Sequence, residues 1–207
     1  MSALFEQRSR GPVPSNDEIM QHHDPDPDEN PWVLGRPGFT PIEICAYDPR
    51  WPARYKALAT EIRRALGDAA LDVEHIGSTA VPGLAAKNVI DMDLTVAHPR
   101  DEGEYVPALE DLGYTLMVRE PSFHEHRCLQ MSAPRANLHV FGPACPEVIR
   151  HRMFRDWLRE NAGDRMRYEE AKRAAAKNND DSIDYNERKE PVIRDIYRRI
   201  FEAAGML

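Results

Sequence analysis

The sequence predicts an α/β (α+β) fold, a small mixed sheet with early helices followed by a helical C-terminal lobe. Three observations predict it. One early segment carries a single apolar stripe at helical spacing, several later segments alternate apolar and polar residues as strands do, and from Pro146 onward the pattern is helical. The 207 residues suffice for one well-cored domain with a small second lobe.

Taken in order, residues 1–40 stand apart. "GPVPSNDEIMQHHDPDPDENPWVLGRPGFTP" is rich in proline and acid with little periodic apolar content, so it reads as an extended arm or a disordered tail. Trp32, Val33 and Leu34, between Pro31 and Pro37, form its compact apolar group. We expect that group to pack on the domain, Trp32 contributing about 2 kcal/mol if buried. Residues 1 to about 20 are expected to be mobile or to contact a second subunit. The arm's acids would be repelled by a triphosphate. His22, His23 and Asp24 read as part of this solvated acidic arm rather than as a metal cluster.

The domain spans residues 41–207, with a sheet lobe over about 41–143 and a helical lobe over about 144–207. In "YDPRWPARYKALATEIRRALG", Tyr55, Leu58, Ile62 and Leu66 share a helix face; Pro52 sits near its start and Gly67 just past its end. "LDVEHI" and "NVIDMDLTV" read as strands flanking the turn "STAVPGLAAK", and "EYVPALEDLG" as a short helix. "YTLMVRE", "HEHRCLQM" and "ANLHVF" read as strands of one sheet. Three helical pieces follow, the last containing Pro191, which should start or kink a segment. Phe154, Trp157, Ile193, Ile196, Ile200 and Phe201 read as core rather than as a base-stacking platform.

Composition excludes several classes. The net charge of −8 disfavours broad nucleic-acid binding, which needs a basic surface. No apolar run approaches the length of a spanning helix, and the N-terminus lacks an apolar signal core, so a cytoplasmic location without membrane association is expected. Cys45, Cys128 and Cys145 are an odd number at unrelated spacings and read as free thiols. The oligomeric state is left open.

The chemistry concentrates in "HIGSTAVPGLAAKNVIDMDL". On a strand, Ile90, Met92, Leu94 and Val96 fall on one face, so Asp91 and Asp93 share the other. Two carboxylates side by side repel, and a hard divalent cation offsets the cost. Mg²⁺ is the expected ion, with Mn²⁺ as the alternative. Mg²⁺ is usually bound by one or two carboxylates plus substrate phosphates, which predicts phosphate nearby. Gly77 lets the backbone turn tightly and approach a ligand, Ser78 and Thr79 offer hydroxyls beside peptide N–H groups, and Lys87 adds a point charge. Arg119 and Arg127, on predicted strands, are candidate phosphate contacts.

Gly77-Ser78, a gap of 12 residues and then Asp91-Met92-Asp93 resembles the signature of the polymerase-beta-type nucleotidyltransferase superfamily. The longer string "EHIGSTAVPGLAAKNVIDMDLTV" is similar to one branch, the GrpB family, as are "YDPRWP", "NLHVF", "HRMFRDWLREN" and "RYEEAKRAA" followed by "DYNERKEPVIRDI". The resemblance runs over roughly residues 43–203 and omits the arm. It implies a small nucleotidyltransferase core in which Gly77 and Ser78 hold the phosphates of a nucleoside triphosphate and Asp91 and Asp93 bind Mg²⁺. The reaction implied moves a nucleoside monophosphate to a small-molecule acceptor and releases pyrophosphate. Where the wider superfamily offers a third carboxylate, "ANLHVF" offers His139, as a general base, an orienting group or a hydrogen-bonded core histidine. Glu125 is the acidic alternative. His124 and His126 flank Glu125 at strand spacing, and a zinc site there is disfavoured. Lys172, Tyr185 and Lys189 match recurring family positions and would close over base, ribose or triphosphate; each alone reads as a solvated helix residue. The alternative function is a noncatalytic module that binds a nucleotide or CoA-related molecule for a partner enzyme, since GrpB-like domains occur fused to dephospho-CoA kinase. An RNA-modifying role is disfavoured, because basic and aromatic residues do not interleave.

Overall fold

The chain folds around a five-stranded mixed sheet of order β1-β2-β5-β4-β3: β1 (Asp72–Ile76), β2 (Ile90–Thr95), β3 (Thr115–Glu120), β4 (His126–Ser132) and β5 (Arg135–Phe141). This computed structural model describes residues 12–23, 26–36, 38, 41–178 and 182–207, with 178, 182 and 183 by backbone alone. The β2–β5 pair is parallel and the other three pairs are antiparallel. The helices are α1 (Asn16–Met20), α2 (Trp51–Leu66), α3 (Val106–Asp111), α4 (Pro146–Glu160), α5 (Ala162–Ala175) and α6 (Ser182–Ala203). This is the mixed α/β architecture expected, with the helical run after residue 145. Among the described residues no helix is long and apolar enough to cross a membrane.

The alternation of β2 divides its side chains between two surroundings. Met92 and Leu94 join Leu138 and Val140 of β5 in a core sealed by Leu58, Ile62 and Leu66 of α2 and Leu109 of α3. Each such burial contributes about 1.5–3 kcal/mol. The 3.6-residue stripe of α2 therefore faces the apolar side of the sheet, and Trp51 at its start is fully buried with its indole N–H donating to Asn88 Oδ1 at 2.8 Å. Pro52 occupies the first turn, where its missing N–H costs nothing.

The opposite face is polar and carries the helical lobe. Arginines of α4 staple it down: Arg152 Nε donates to Glu74 at 2.9 Å, Arg155 to the His75 carbonyl at 3.0 Å, and Arg159 to the Ala80 carbonyl at 2.8 Å. Leu158, Tyr168, Ile196, Ile200 and Phe201 form a second core around Val81 and Leu84, which belong to the loop after β1. That loop therefore sits between the lobes and is gripped by both. Trp157 and Ile193 pack against this core as well, and Pro191 lies inside α6, neither starting nor ending it.

Two local expectations need correction. His124 and Glu125 are not on a strand. Both adopt positive φ, 51° and 56°, in the turn before β4, so His124 and His126 do not share a strand face. The reason is local: Phe123 and His126 close the turn with a backbone bond of 2.9 Å, which leaves the two residues between them outside the ladder. The arm also differs. Ser15 and Glu18 form a capping box that starts α1, Ile19 is buried in the helical-lobe core, and Arg150 donates to the Ile19 carbonyl at 2.9 Å. At Ile19 the arm is thus docked on its own chain, while residues 1–11 lie outside the described residues. Trp32 bridges to Val118 at the free edge of β3, where Val33 N–H donates to the Met117 carbonyl at 3.0 Å. Leu34, 67% exposed, takes no part, and Pro37 lies outside the described residues.

Candidate functional site

A cavity of about 520 Å³ lies between the polar face of the sheet and the helical lobe, lined by Gly77, Ser78, Thr79, Lys87, Asp91, His139, Lys172, Tyr185 and Lys189 among others. Nine of the site residues named from the sequence thus line one space, although they come from two strands, one loop and two helices. The β2–β5 register explains part of this. Asp91 pairs with Asn137 and Asp93 with His139, so all four share a face by the period of two.

Gly77 is required twice over. Its φ of 68° with ψ of −171° is a conformation essentially reserved to glycine. A Cβ placed there would come within 2.7 Å of Asp91 Oδ2 and 3.0 Å of Asp91 Cβ. The turn therefore brings bare backbone against the first aspartate. Replacing Gly77 with Ala should push the Asp91 carboxylate aside and destabilise the fold by about 1–3 kcal/mol from backbone strain. The measurements are thermal melting and nucleotide binding, and full retention of both would show the close approach to be dispensable.

The two aspartates differ in their partners. Asp91 Oδ1 accepts from Asn137 Nδ2 at 2.8 Å, and no cation lies within ion-pair distance among the described residues. Burial raises its pKa against the lowering effects of Asn137, Lys87 and Lys189. Asp93, 2% exposed, is paired instead: His151 Nδ1 of α4 reaches its Oδ2 at 2.9 Å, and the same ring faces Glu147 through Nε2 at 3.4 Å. Burial works against a charged His151, but the Asp93 carboxylate outweighs it and the pKa rises to about 9.

His139 is the end of a buried relay. His126 Nδ1 lies 2.6 Å from Glu120 Oε2, and His126 Nε2 lies 3.0 Å from His139 Nδ1. With His126 Nδ1–H donating to Glu120, its Nε2 can accept from His139 Nδ1–H, and His139 Nε2 is left as a bare acceptor. Burial holds the His139 pKa well below the usual value.

Three lysines line the cavity with Asp91, whereas Asp93 is covered by His151 and does not line it. Lys172, 2% exposed, donates to Ser78 Oγ at 3.0 Å and to the Ala85 carbonyl at 2.5 Å. Burial, and then the neighbouring Lys189, push its pKa down to about 7. Lys87 and Lys189 stand over the buried Tyr185 ring at 5.0 and 4.9 Å. Burial lowers the Lys87 pKa, with Lys189 adding to the effect. None of Lys172, Tyr185 and Lys189 behaves as a freely solvated helix residue. Thr79 turns its hydroxyl to His75 Nε2 at 3.0 Å and is buried.

Arg119 and Arg127 do not reach this cavity. They pair with each other across β3 and β4, and Arg127 pairs with Val140, which places both on the face opposite the aspartates. Both guanidiniums bind Glu102, Arg119 at 2.7 Å and Arg127 at 2.5 Å. Glu125 is occupied by Arg100 and does not line the cavity. Sequence reasoning missed Asn137 and His151 and placed His22 and His23 in a solvated arm, yet all four line the cavity. Asn137 was recoverable, since it stands two residues before His139 on a strand. His151 was not, because only the packing of α4 over the sheet brings it to Asp93. Of the His22-His23-Asp24 group, Asp24 lies outside the described residues.

The fold and the site together define a class: a two-lobed α/β protein whose Gly-Ser turn and Asp91 face lysines of a helical lobe. Comparison with known proteins is specific. A profile of the family described as GrpB protein matches residues 41–199, and the chain belongs to the GrpB family. It is 44% identical over 165 residues to a UPF0157 protein of Halalkalibacterium halodurans, covering 79% of this chain and 85% of that one. It is also 32% identical over 191 residues to a dephospho-CoA kinase of Mycolicibacterium paratuberculosis, covering 79% of this chain and 47% of that enzyme. The crystal structure of the conserved protein GrpB from Enterococcus faecalis superposes with a TM-score of 0.67 at 28% identity, over 79% of this chain and 99% of that one.

Proposed function

We propose that the protein is a Mg²⁺-dependent nucleotidyltransferase that moves a nucleoside monophosphate from a nucleoside triphosphate to a small-molecule acceptor and releases pyrophosphate. One observation carries the reading: the Ser78–Lys172 contact, with Lys87 and Lys189 nearby, sets cationic donors across a cavity from the half-buried Asp91 carboxylate, which has no cation within ion-pair distance among the described residues.

The donor set fits a divalent ion of oxygen preference. Asp91 would hold it, with Asp93 as the second carboxylate; His151 competes with the ion for Asp93. Mn²⁺ satisfies the same donors. When bound, such an ion polarises the phosphoryl group and neutralises charge on the leaving group. The chain's own residues do the rest. The backbone at Gly77 admits phosphate oxygens close to the loop, and the Ser78 hydroxyl and Lys172 ammonium bind them as charge-assisted donors. Lys87 and Lys189 balance further negative charge. His139 takes the acceptor proton at Nε2, and His126 and Glu120 hold the ring in the tautomer that can do so. The helical lobe limits water at the reacting atoms.

Incubation with each NTP, Mg²⁺ and a cell metabolite extract tests this. Pyrophosphate should form with the wild type and not with the Asp91→Ala, Asp93→Ala double variant. Equal, background-level release from both proteins across a broad acceptor set would sink the proposal.

A second reading is favoured by the dephospho-CoA kinase relative, of which this chain matches about half. In that reading the domain is a noncatalytic module that binds a nucleotide or CoA-related molecule beside a partner enzyme. Calorimetry separates the two: binding that needs no metal and yields no turnover favours the module.

A further inference from the structure

The cavity has two ends of different chemistry. Tyr185, between Lys87 and Lys189, marks one; Tyr197, met edge-on by His22 at 5.9 Å, marks the other. The two tyrosines lie twelve residues apart on α6, about 18 Å at the rise of a helix. At the Tyr197 end several rings line the cavity beside Glu147 and Arg150. His23 stacks on Phe123 at 4.5 Å, and Phe154 packs against Tyr197 at 5.0 Å. Both His22 and His23 line the cavity, and both come from the arm, which lies outside residues 41–199 matched by the family profile.

The arm is fixed on either side of these two residues, by Ile19 buried in the helical-lobe core and by the Trp32 bridge to β3. His22 is further oriented by Arg150, whose guanidinium donates to its Nδ1 at 3.0 Å. A guanidinium only donates, so Nδ1 is the acceptor and the ring proton sits on Nε2. Partial burial and then the Arg150 charge lower the His22 pKa, which favours the neutral ring. Phosphate is better served at the lysine end, where the ammonium groups gather. The arm end offers flat ring faces, with Arg150 paired to Glu147 beside them, and such faces suit stacking with a ring.

We propose that the arm completes the cleft as a ring-binding subsite, in which His22 and His23, with Phe123 and Phe154, take a planar uncharged ring: the base of a nucleotide or the ring of an acceptor. The inference rests on the nucleotide reading only for what fills the lysine end.

Calorimetry on the full chain tests it, comparing wild type with the His22→Ala, His23→Ala double variant. The probes are magnesium tripolyphosphate, the four Mg-NTPs, the matching nucleosides, and a panel of neutral aromatic alcohols and amines. Neither side chain is buried, so the variant should fold, and a melting curve checks this. Tripolyphosphate affinity should be unchanged, while affinity for a ring-bearing probe falls about tenfold, the size of one lost base–aromatic stack. A loss confined to NTPs and nucleosides assigns the ring to the base; a loss confined to the aromatic panel assigns it to the acceptor. The subsite is overturned if no ring-bearing probe binds wild type, if all bind both proteins equally, or if tripolyphosphate weakens in parallel. Wild type that ignores tripolyphosphate yet binds a nucleoside or aromatic probe through His22 and His23 keeps the subsite and removes the nucleotide reading.

Discussion

Asp91→Asn should abolish metal-dependent nucleotide chemistry while leaving the fold intact, and Asp93→Asn should do the reverse in stability. Asp91 carries a charge that burial disfavours and that no cation offsets within ion-pair distance among the described residues. Its amide analogue keeps the shape and loses the charge. Pyrophosphate release should fall by about 10³-fold, as when a main electrostatic group is removed from a reacting centre, and the melting temperature should hold or rise. Asp93, itself buried, instead balances the half-buried His151. Removing the carboxylate leaves that imidazolium with only the longer Glu147 contact, a loss of about 3 kcal/mol, or on the order of 10 °C in melting temperature for a chain of this size. The pH dependence follows from the His151 pKa of about 9 against an ordinary 6.5. The folded state holds more protons between those values. The stability contributed by His151 is full below 6.5 and lost as pH rises through 9. Melting in EDTA across that range should show this loss in wild type with Lys172 silenced, and not in Asp93→Asn. Equal melting behaviour of Asp91→Asn and Asp93→Asn would refute the assignment.

Lys172→Met should weaken nucleotide binding by roughly 10- to 100-fold, the worth of a hydrogen bond to a charged group. Its free ammonium has a pKa of about 7, far below the ordinary 10.5, because burial and Lys189 disfavour the charge. Here the sign is opposite to His151. Between pH 7 and 10.5 the unfolded chain holds the extra proton, so stability rises with pH across that window. Wild type should therefore show a shallow net dependence where the two windows overlap. Lys172→Met uncovers the His151 decline, and Asp93→Asn uncovers the Lys172 rise. A triphosphate restores the charge of Lys172, so binding takes up a proton and wild-type affinity falls as pH rises above about 7. Calorimetry in buffers of different ionisation enthalpy reads that proton directly. Binding by Lys172→Met with the same proton uptake as wild type would place the titrating group elsewhere.

The sequence by itself determined what period and turn chemistry control. The stripe on α2, the alternation of β2 and β5, the Gly77-Ser78 turn and the shared face of Asp91 and Asp93 are local consequences of side-chain geometry, and each is legible within a dozen residues. Where the chain leaves a strand, that legibility fails: "HEHRCLQM" alternates acceptably, yet its first residues belong to a turn with positive φ. Arg119 and Arg127 show a second limit. Their strands were correct, but which face meets the cavity depends on the order β2-β5-β4-β3 and its registers, and a shift by one residue exchanges the faces. Only the tertiary structure decided that α4 lays His151 on Asp93, that α5 sinks Lys172 beside Ser78, and that a capped helix in the arm carries His22 and His23 to the cavity. Those contacts join residues tens of positions apart, with 58 between Asp93 and His151 and 94 between Ser78 and Lys172. No local pattern encodes such a pair, because the free energy that makes it lies in burying the helical lobe on the loop after β1 and not in either residue alone.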